Sequence, residues 1–314
     1  MTDTEDTARD SLACWPPLPL REWRATCDTL HMWTQIVGKV RLAVTPYVNH
    51  WWNVPLYVYP CGLTTSMMPY RGRAFALRFD FVSHALVLDI GDGARRAIAL
   101  EARSVADFYR ATTALLRDAG IDVPISTMPV EVPDPIRFED DTVHASYDRD
   151  AVARFARVLV SVDGAFNAFR AGFIGKCSPV HFFWGSFDLC VTRFSGRRAP
   201  PRPDADRVTR EAYSHEVSSV GFWPGSGDVA DAAFYAYTAP EPAGLRDRPV
   251  LPAAAGYRPS LGEFVLMYDA VRLARSPSAA LRAFCESTYA AGADLAQWDR
   301  AALERAGPAS LQKG

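Results

Sequence analysis

The chain is poor in lysine: of its 34 basic residues only Lys39, Lys176 and Lys313 are lysines, and the rest are arginine. It also lacks net charge, standing at −2 over 314 residues. With no whole-chain positive field to release counterions from phosphates, the composition argues against a general grip on nucleic acid. Nor is there an apolar run of the roughly 18 residues that a membrane helix needs. The opening MTDTEDTARDS is acidic and polar where a targeting segment would be basic and then apolar. The expectation is a cytoplasmic protein with no membrane partner and a disordered stretch over residues 1–14. Six scattered cysteines form no C-x-x-C pair, so neither a disulfide framework nor a zinc site is expected. No metal or cofactor is expected.

What is present is ordinary globular material. Hydrophobic residues make up 49% and charged residues 22%, and a chain of this length buries roughly three quarters of its unfolded surface. Trp23, Cys27, Leu30, Trp33 and Val37 fall at helical spacing over 21–37, with Gly38 as the expected stop. From 39 to 100 the apolar period drops to two, in short runs cut by Pro, Gly and Gly-Asp-Gly, which predicts an antiparallel meander. Ser104 with Asp107 opens a helix that Gly120 closes. Prolines at 124, 129, 133 and 135 mark an extended connector over 121–147 between an N-terminal half, 15–120, and a C-terminal half, 148–314. In the second half Val152, Phe155, Leu159, Val162, Phe166, Phe169 and Phe173 form one helical stripe. Strand-like runs follow at 181–198, 211–227, 232–242 and 262–271, then a helix starting at Ser276-Pro277 and a short one over 296–306.

The two halves share an order and some words. IVGK at 36–39 answers FIGK at 173–176, and NHWWNVPLYV (49–58) aligns without a gap on VHFFWGSFDL (180–189), setting His50 on His181. This predicts an α+β fold of two related halves of antiparallel β-strands with packed helices, a cryptic internal duplication. Strand alternation then assigns His50, Trp52, Val54, Leu56, His181, Phe183 and Phe187 to a core face. The opposite face takes Trp51, Asn53, Tyr57, Phe182, Trp184, Ser186, Asp188, Cys190 and Thr192. Aromatic rings mixed with hydrogen-bonding groups are how a pocket for a small polar ligand is lined.

Asp188 stands out because a carboxylate among Phe187, Leu189 and Cys190 costs several kcal/mol to bury unpaired. A structural ion pair with Arg193 and a catalytic role are both open. His181 reads as a core histidine or a ligand, and His215 and Glu216 point to opposite faces of one strand. Lys39 and Lys176 follow glycines that resemble helix C-terminal caps, where a cation complements the dipole. Arg193, Arg197 and Arg198 have the forked donors that grip carboxylate or phosphate, or else form the solvated edge of a loop. GFWPGSG (221–227) contains G-x-G, but its default is a wide turn.

The stretches TLHMWTQIVGK, NHWW, HFFWGSFDLCVTRFSGR, EAYSHEVSS, GFWPG and FYAYTAPEP resemble an uncharacterised bacterial family, a domain of unknown function, over about residues 15–305, with Cys190 where alanine is expected. The resemblance implies no activity, cofactor or catalytic residue. The site expectation therefore rests on the residues alone. It is a pocket for a small polar or anionic metabolite between the halves, with Asp188, His215 and Glu216 as acid–base groups and Asn53, Tyr57, Trp184, Ser186, Arg193 and Arg197 binding the ligand. The alternative is a noncatalytic ligand-binding or protein-interaction module. Nucleic-acid binding would need a basic stripe extending beyond one loop, and nothing in the sequence indicates the oligomeric state.

Overall fold

The computed structural model describes residues 14–225 and 229–305. The expected disordered tail therefore lies almost wholly outside the described residues, as does the end of the GFWPGSG turn. Two antiparallel sheets of six strands each, with seven α-helices among the described residues, make an α+β fold with two similar sheet halves. The chain clusters into two compact units. The first holds residues up to 161 with 181–189 and 223–232, and the second holds 162–180, 190–222 and the chain from 233 onward. No helix among the described residues is long and apolar enough to cross a membrane.

In the first unit, helix α1 (Leu20–Val44) runs past Gly38, where the sequence predicts an end. The stop is Thr45, whose backbone is extended and which precedes Pro46, a position where helical backbone is disfavoured. Gly38 answers a different demand. A Cβ placed there would lie 2.3 Å from the indole of Trp184, so the missing side chain lets the ring lie directly on the helix backbone. Lys39 is consequently inside the helix and does not cap it.

The first sheet has the order β1 (Tyr57–Tyr59), β2 (Gly62–Thr64), β4 (Arg73–Asp80), β5 (Ala85–Ile90), β6 (Arg95–Ala99), with β3 (Met68–Tyr70) also on β4. Its alternation sends Phe75, Leu77 and Phe79 inward and Arg78 outward to Asp89, at 2.6 Å. Helix α2 (Val105–Asp118) is capped by Ser104, which accepts from the Asp107 amide at 3.0 Å, and Gly120 (φ +71) follows its end. Trp33 of α1 stacks on Phe108 of α2 at 4.4 Å, and Phe108 on Phe79 at 6.2 Å, joining helix, helix and sheet in one core.

Helix α3 (Arg149–Ala171) buries the predicted stripe: Val152, Phe155, Leu159, Val162, Phe166 and Phe169 are all at most 1% exposed. It ends before the expected glycine, so Lys176 is not its dipole partner and instead lies 4.9 Å from the Phe194 ring. The second sheet has the order β11 (Gly256–Arg258), β12 (Glu263–Met267), β10 (Ala233–Ala239), β9 (His215–Trp223), β8 (Asp188–Arg198), β7 (His181–Phe183). The second unit also carries α4 (Arg207–Ala212), α5 (Tyr268–Arg272), α6 (Pro277–Leu295) and α7 (Arg300–Leu303).

Two details depart from the strand-for-strand alignment. Asn49–Trp51 is a turn of 3-10 helix in which His50 (φ 58) and Trp51 (φ 61) hold left-handed backbone, so strand alternation does not apply to NHWW. HFFWGSFDL is a hairpin, because residues 184–187 turn and Phe187 (φ 58) is left-handed. His181 and Asp188 thus stand on different strands. The two aligned segments meet directly: Leu56 and Phe182 exchange both backbone bonds, at 2.9 and 2.8 Å, which places His181 beside Tyr57 with rings 5.5 Å apart.

Candidate functional site

A polar stripe runs along α1 through Arg24, Asp28, His31, Gln35 and Lys39, one residue per turn on the side that faces the proline-rich segment. Gln35 is fully buried and clamps the backbone of Val130, donating to its carbonyl at 2.8 Å and accepting from its amide at 2.9 Å. The Lys39 ammonium donates to the Met128 carbonyl at 2.6 Å, and burial pulls its pKa down. Thr29 accepts from the Ser146 amide and Thr26 from the Asp148 amide, at 3.1 and 3.0 Å. The segment from 128 to 148 is thereby tied to α1 at both ends, and between the ties it stands off the helix.

The gap is a cleft of about 300 Å³ lined by Arg24, Asp28, His31 and Met32 of α1 and by 131–136, Asp141 and His144 of the facing segment. A neighbouring depression shares Asp28 and His144. Glu131 (φ 57) and Asp134 (φ 47) hold left-handed backbone in its wall, a strained conformation for residues with side chains.

Two quartets of the same D-T-x-H pattern contribute titratable groups to it, Asp28-Thr-Leu-His31 and Asp141-Thr-Val-His144. Asp141 is 1% exposed. One carboxylate oxygen accepts the amides of Val143 and His144, both at 3.1 Å, and the other accepts His144 Nδ1–H at 2.8 Å. The carbonyls of Asp141 and His144 in turn receive the first two amides of α2, Ala106 and Val105, at 2.9 and 3.0 Å. His144 is therefore held in one orientation, with Nδ1–H fixed on Asp141 and Nε2 left outside that bond. Burial raises the Asp28 carboxyl above the usual range, against smaller opposing effects from Arg24 and His144.

His31 belongs to the opposite wall. It donates from Nε2 to the Gly185 carbonyl at 2.8 Å, and its ring lies 5.0 Å from Phe187, so the hairpin turn rests on the helix here. A Cβ on Gly185 would meet Glu131 Oε1 at 2.6 Å. Burial lowers the His31 pKa to about 4, opposed in part by its bonds to the hairpin backbone. The consequence for stability has a definite sign. The unfolded imidazole takes up a proton near pH 6.5 and the folded one only near 4, so stability is complete above 6.5 and falls as the pH drops towards 4, by about 3 kcal/mol for this group. Urea midpoints at pH 7 and 4.5 should separate widely for the wild type and by clearly less for His31→Asn; equal separations would refute the assignment.

The residues expected from the sequence fall elsewhere. Asn53 is buried and accepts from the Val48 amide at 3.2 Å, and Tyr57 lies 5.4 Å from the Arg41 guanidinium. Trp184 donates to the Val54 carbonyl at 3.0 Å, and the exposed Ser186 donates to the buried Asp188 at 2.5 Å. These belong to the first unit; His215, Glu216, Arg193 and Arg197 belong to the second. Arg197 and Glu216 pair with each other at 2.7 Å, and Arg197 also donates to the carbonyls of Ala296, at 2.5 Å, and Gln297, at 3.2 Å, just past α6. His215 lies beside Ser214 at 3.1 Å, and burial lowers its pKa. Arg193 is 1% exposed with its guanidinium against Phe169, Tyr289 and Phe173, donating to the Phe169 carbonyl and to Glu286.

The cleft residues were not singled out from the sequence. The signal that could have found them is the repeated D-T-x-H, whose three-residue spacing brings acid and imidazole to one side of a helical turn or into one tight loop.

An α+β protein with two antiparallel six-stranded sheets and an acid–histidine cleft on its first helix is the class that fold and site define. The chain belongs to a family of unknown function, DUF5996, whose model spans residues 15–305. No curated protein and no solved structure matches it.

Proposed function

We propose that the cleft between α1 and the 128–148 segment is an acid–base site for a small polar substrate. His144, aligned by Asp141, serves as the base through Nε2, and Asp28 serves as the acid, its carboxyl kept protonated to higher pH by burial. The single observation behind this reading is the convergence of two Asp-Thr-x-His quartets, distant in sequence, on one cavity. Their environments push the two kinds of group apart, one oriented by a buried carboxylate and the other desolvated without a direct partner, which is how acid and base roles are divided. The 181–198 hairpin acts as support: Gly185 and Phe187 seat His31, and Asp188 with Ser186 shapes the turn.

The test is turnover of a metabolite library by the full chain, followed by mass spectrometry. His144→Asn and Asp28→Asn should each cut the rate of any converted substrate by about 10²- to 10⁴-fold, the usual weight of a positioned proton-transfer group. Asp141→Asn should lower the rate while leaving substrate binding close to unchanged, because it misorients the base without touching the substrate. Turnover that survives His144→Asn would overturn the reading.

A further inference from the structure

We propose that β6 (Arg95–Ala99) is a pairing edge for a second copy of this chain, the two strands running antiparallel with Ala97 of each copy opposite its counterpart. β6 ends the order of the first sheet, with β5 on one side and no strand on the other among the described residues. Hydrogen bonds at the two ends of the β5–β6 ladder fix which way its backbone groups point. The Ile90 amide donates to the Ala94 carbonyl at 3.0 Å, and the Leu100 amide to the His84 carbonyl at 2.8 Å. Between these ends the register pairs Leu88 with Arg96 and Leu86 with Ile98. Bonded and non-bonded pairs alternate in an antiparallel ladder, so the amides and carbonyls of Arg95, Ala97 and Ala99 point away from β5. Every residue of the strand except Ile98 is exposed, and this row of donors and acceptors lies open.

Natural edges are commonly blunted by proline, lysine or a bulge. β6 has neither proline nor lysine, and its register with β5 is unbroken. Its two charges sit at one end, where Arg95 is turned onto Asp89 of its own sheet at 2.7 Å. The order of residues along the strand selects a second copy as the occupant: basic at Arg95 and Arg96, apolar through Ala97, Ile98 and Ala99, then acidic at Glu101. A two-fold axis beside Ala97 sets Arg95 of one copy opposite Ala99 of the other, and Arg96 opposite Ile98. No arginine then faces an arginine, and each Ile98 gains the alkyl stem of an arginine from the other copy. Glu101 falls on the diagonal from Arg95 of the other copy, within reach of long side chains. An in-register parallel pairing would instead set each arginine beside its counterpart. Ala97 and Ala99 carry too little side chain to hold the two strands apart.

The test is sedimentation velocity of the full chain over about 1 to 100 µM, which covers dissociation constants in the micromolar decades. The wild type should pass from monomer to dimer as its concentration rises. Ala97→Pro removes an amide that makes no bond within its own sheet, a position where an edge strand tolerates proline. It should match the wild type by circular dichroism and weaken dimerisation by about tenfold or more, through the hydrogen bonds lost on both copies. Ala97→Asp and Ala97→Lys should each be monomeric, because the two-fold axis sets like charges face to face. Mixed in equal amounts, the Asp and Lys variants should dimerise again, a recovery that a merely structural role for Ala97 would not give. A wild type that stays monomeric throughout, a dimer indifferent to Ala97→Pro, or charged variants that fail to pair on mixing would each overturn the proposal.

Discussion

Trp184→Ala is expected to destabilise the protein by about 3 to 5 kcal/mol, the range for removing a buried aromatic ring. Trp184 is 5% exposed, lies on the bare backbone of Gly38 and donates to the Val54 carbonyl at 3.0 Å. Its loss opens a void that the helix backbone cannot fill, and frees the hairpin turn that seats His31. The reciprocal change is informative. Gly38→Ala would gain about 0.5 to 1 kcal/mol of helix propensity on an isolated helix, yet here its Cβ would fall 2.3 Å from three indole atoms, so a net loss of about 1 to 3 kcal/mol is expected. In the Trp184→Ala background the same Gly38→Ala should turn stabilising, because the clash has gone and the propensity gain remains. Urea unfolding of the four proteins, followed by far-ultraviolet circular dichroism, completes the cycle. Additive effects would mean that ring and helix do not touch.

The second large effect concerns Arg193. Its guanidinium carbon lies 3.4 Å from the Phe169 ring centre and 4.4 Å from that of Tyr289, and its Nε has no hydrogen-bond partner. Arg193→Ala removes the filler of an aromatic cage and leaves Glu286 without its 3.5 Å partner, for an expected loss of about 3 to 5 kcal/mol. Arg193→Met should be far milder, within about 1.5 kcal/mol of wild type. A buried charge with one donor unsatisfied is costly to desolvate, and a flexible apolar chain of similar length fills the same space. Lysine should do worse than methionine, because a compact, strongly hydrated ammonium cannot lie flat on the rings. Equal damage from Met and Ala would show that the charge, and not the packing, holds this core.

Short-range patterns carried through to the structure where the physics is local. The Ser104 cap, the Gly120 stop, the α3 stripe and the period-two meander depend on neighbours a few residues apart, and each appears in the fold. The failures have one shape. Gly38 looks the same in sequence whether it ends a helix or receives a ring. NHWW and HFFW look alike, but positive φ at His50, Trp51 and Phe187 makes one a turn and the other an arm of a hairpin. The arginines at 193 and 197 stand in the sequence without the partners that they find in α6 and just past its end.

The candidate site divides the same way. By itself the sequence determined the α+β class, two halves of antiparallel strands with a meander in the first, and the close spacing within each Asp-Thr-x-His quartet, because hydrophobic period and i, i+3 proximity are properties of a short piece of chain. Only tertiary structure decided that the two quartets share a cleft, that the proline-rich segment is its wall, and that Asp188 accepts from Ser186 at a hairpin turn. Those outcomes depend on which distant backbone groups Gln35, Lys39, Thr26 and Thr29 reach, and a hydrogen bond across a long loop leaves no periodic trace in the residues that make it.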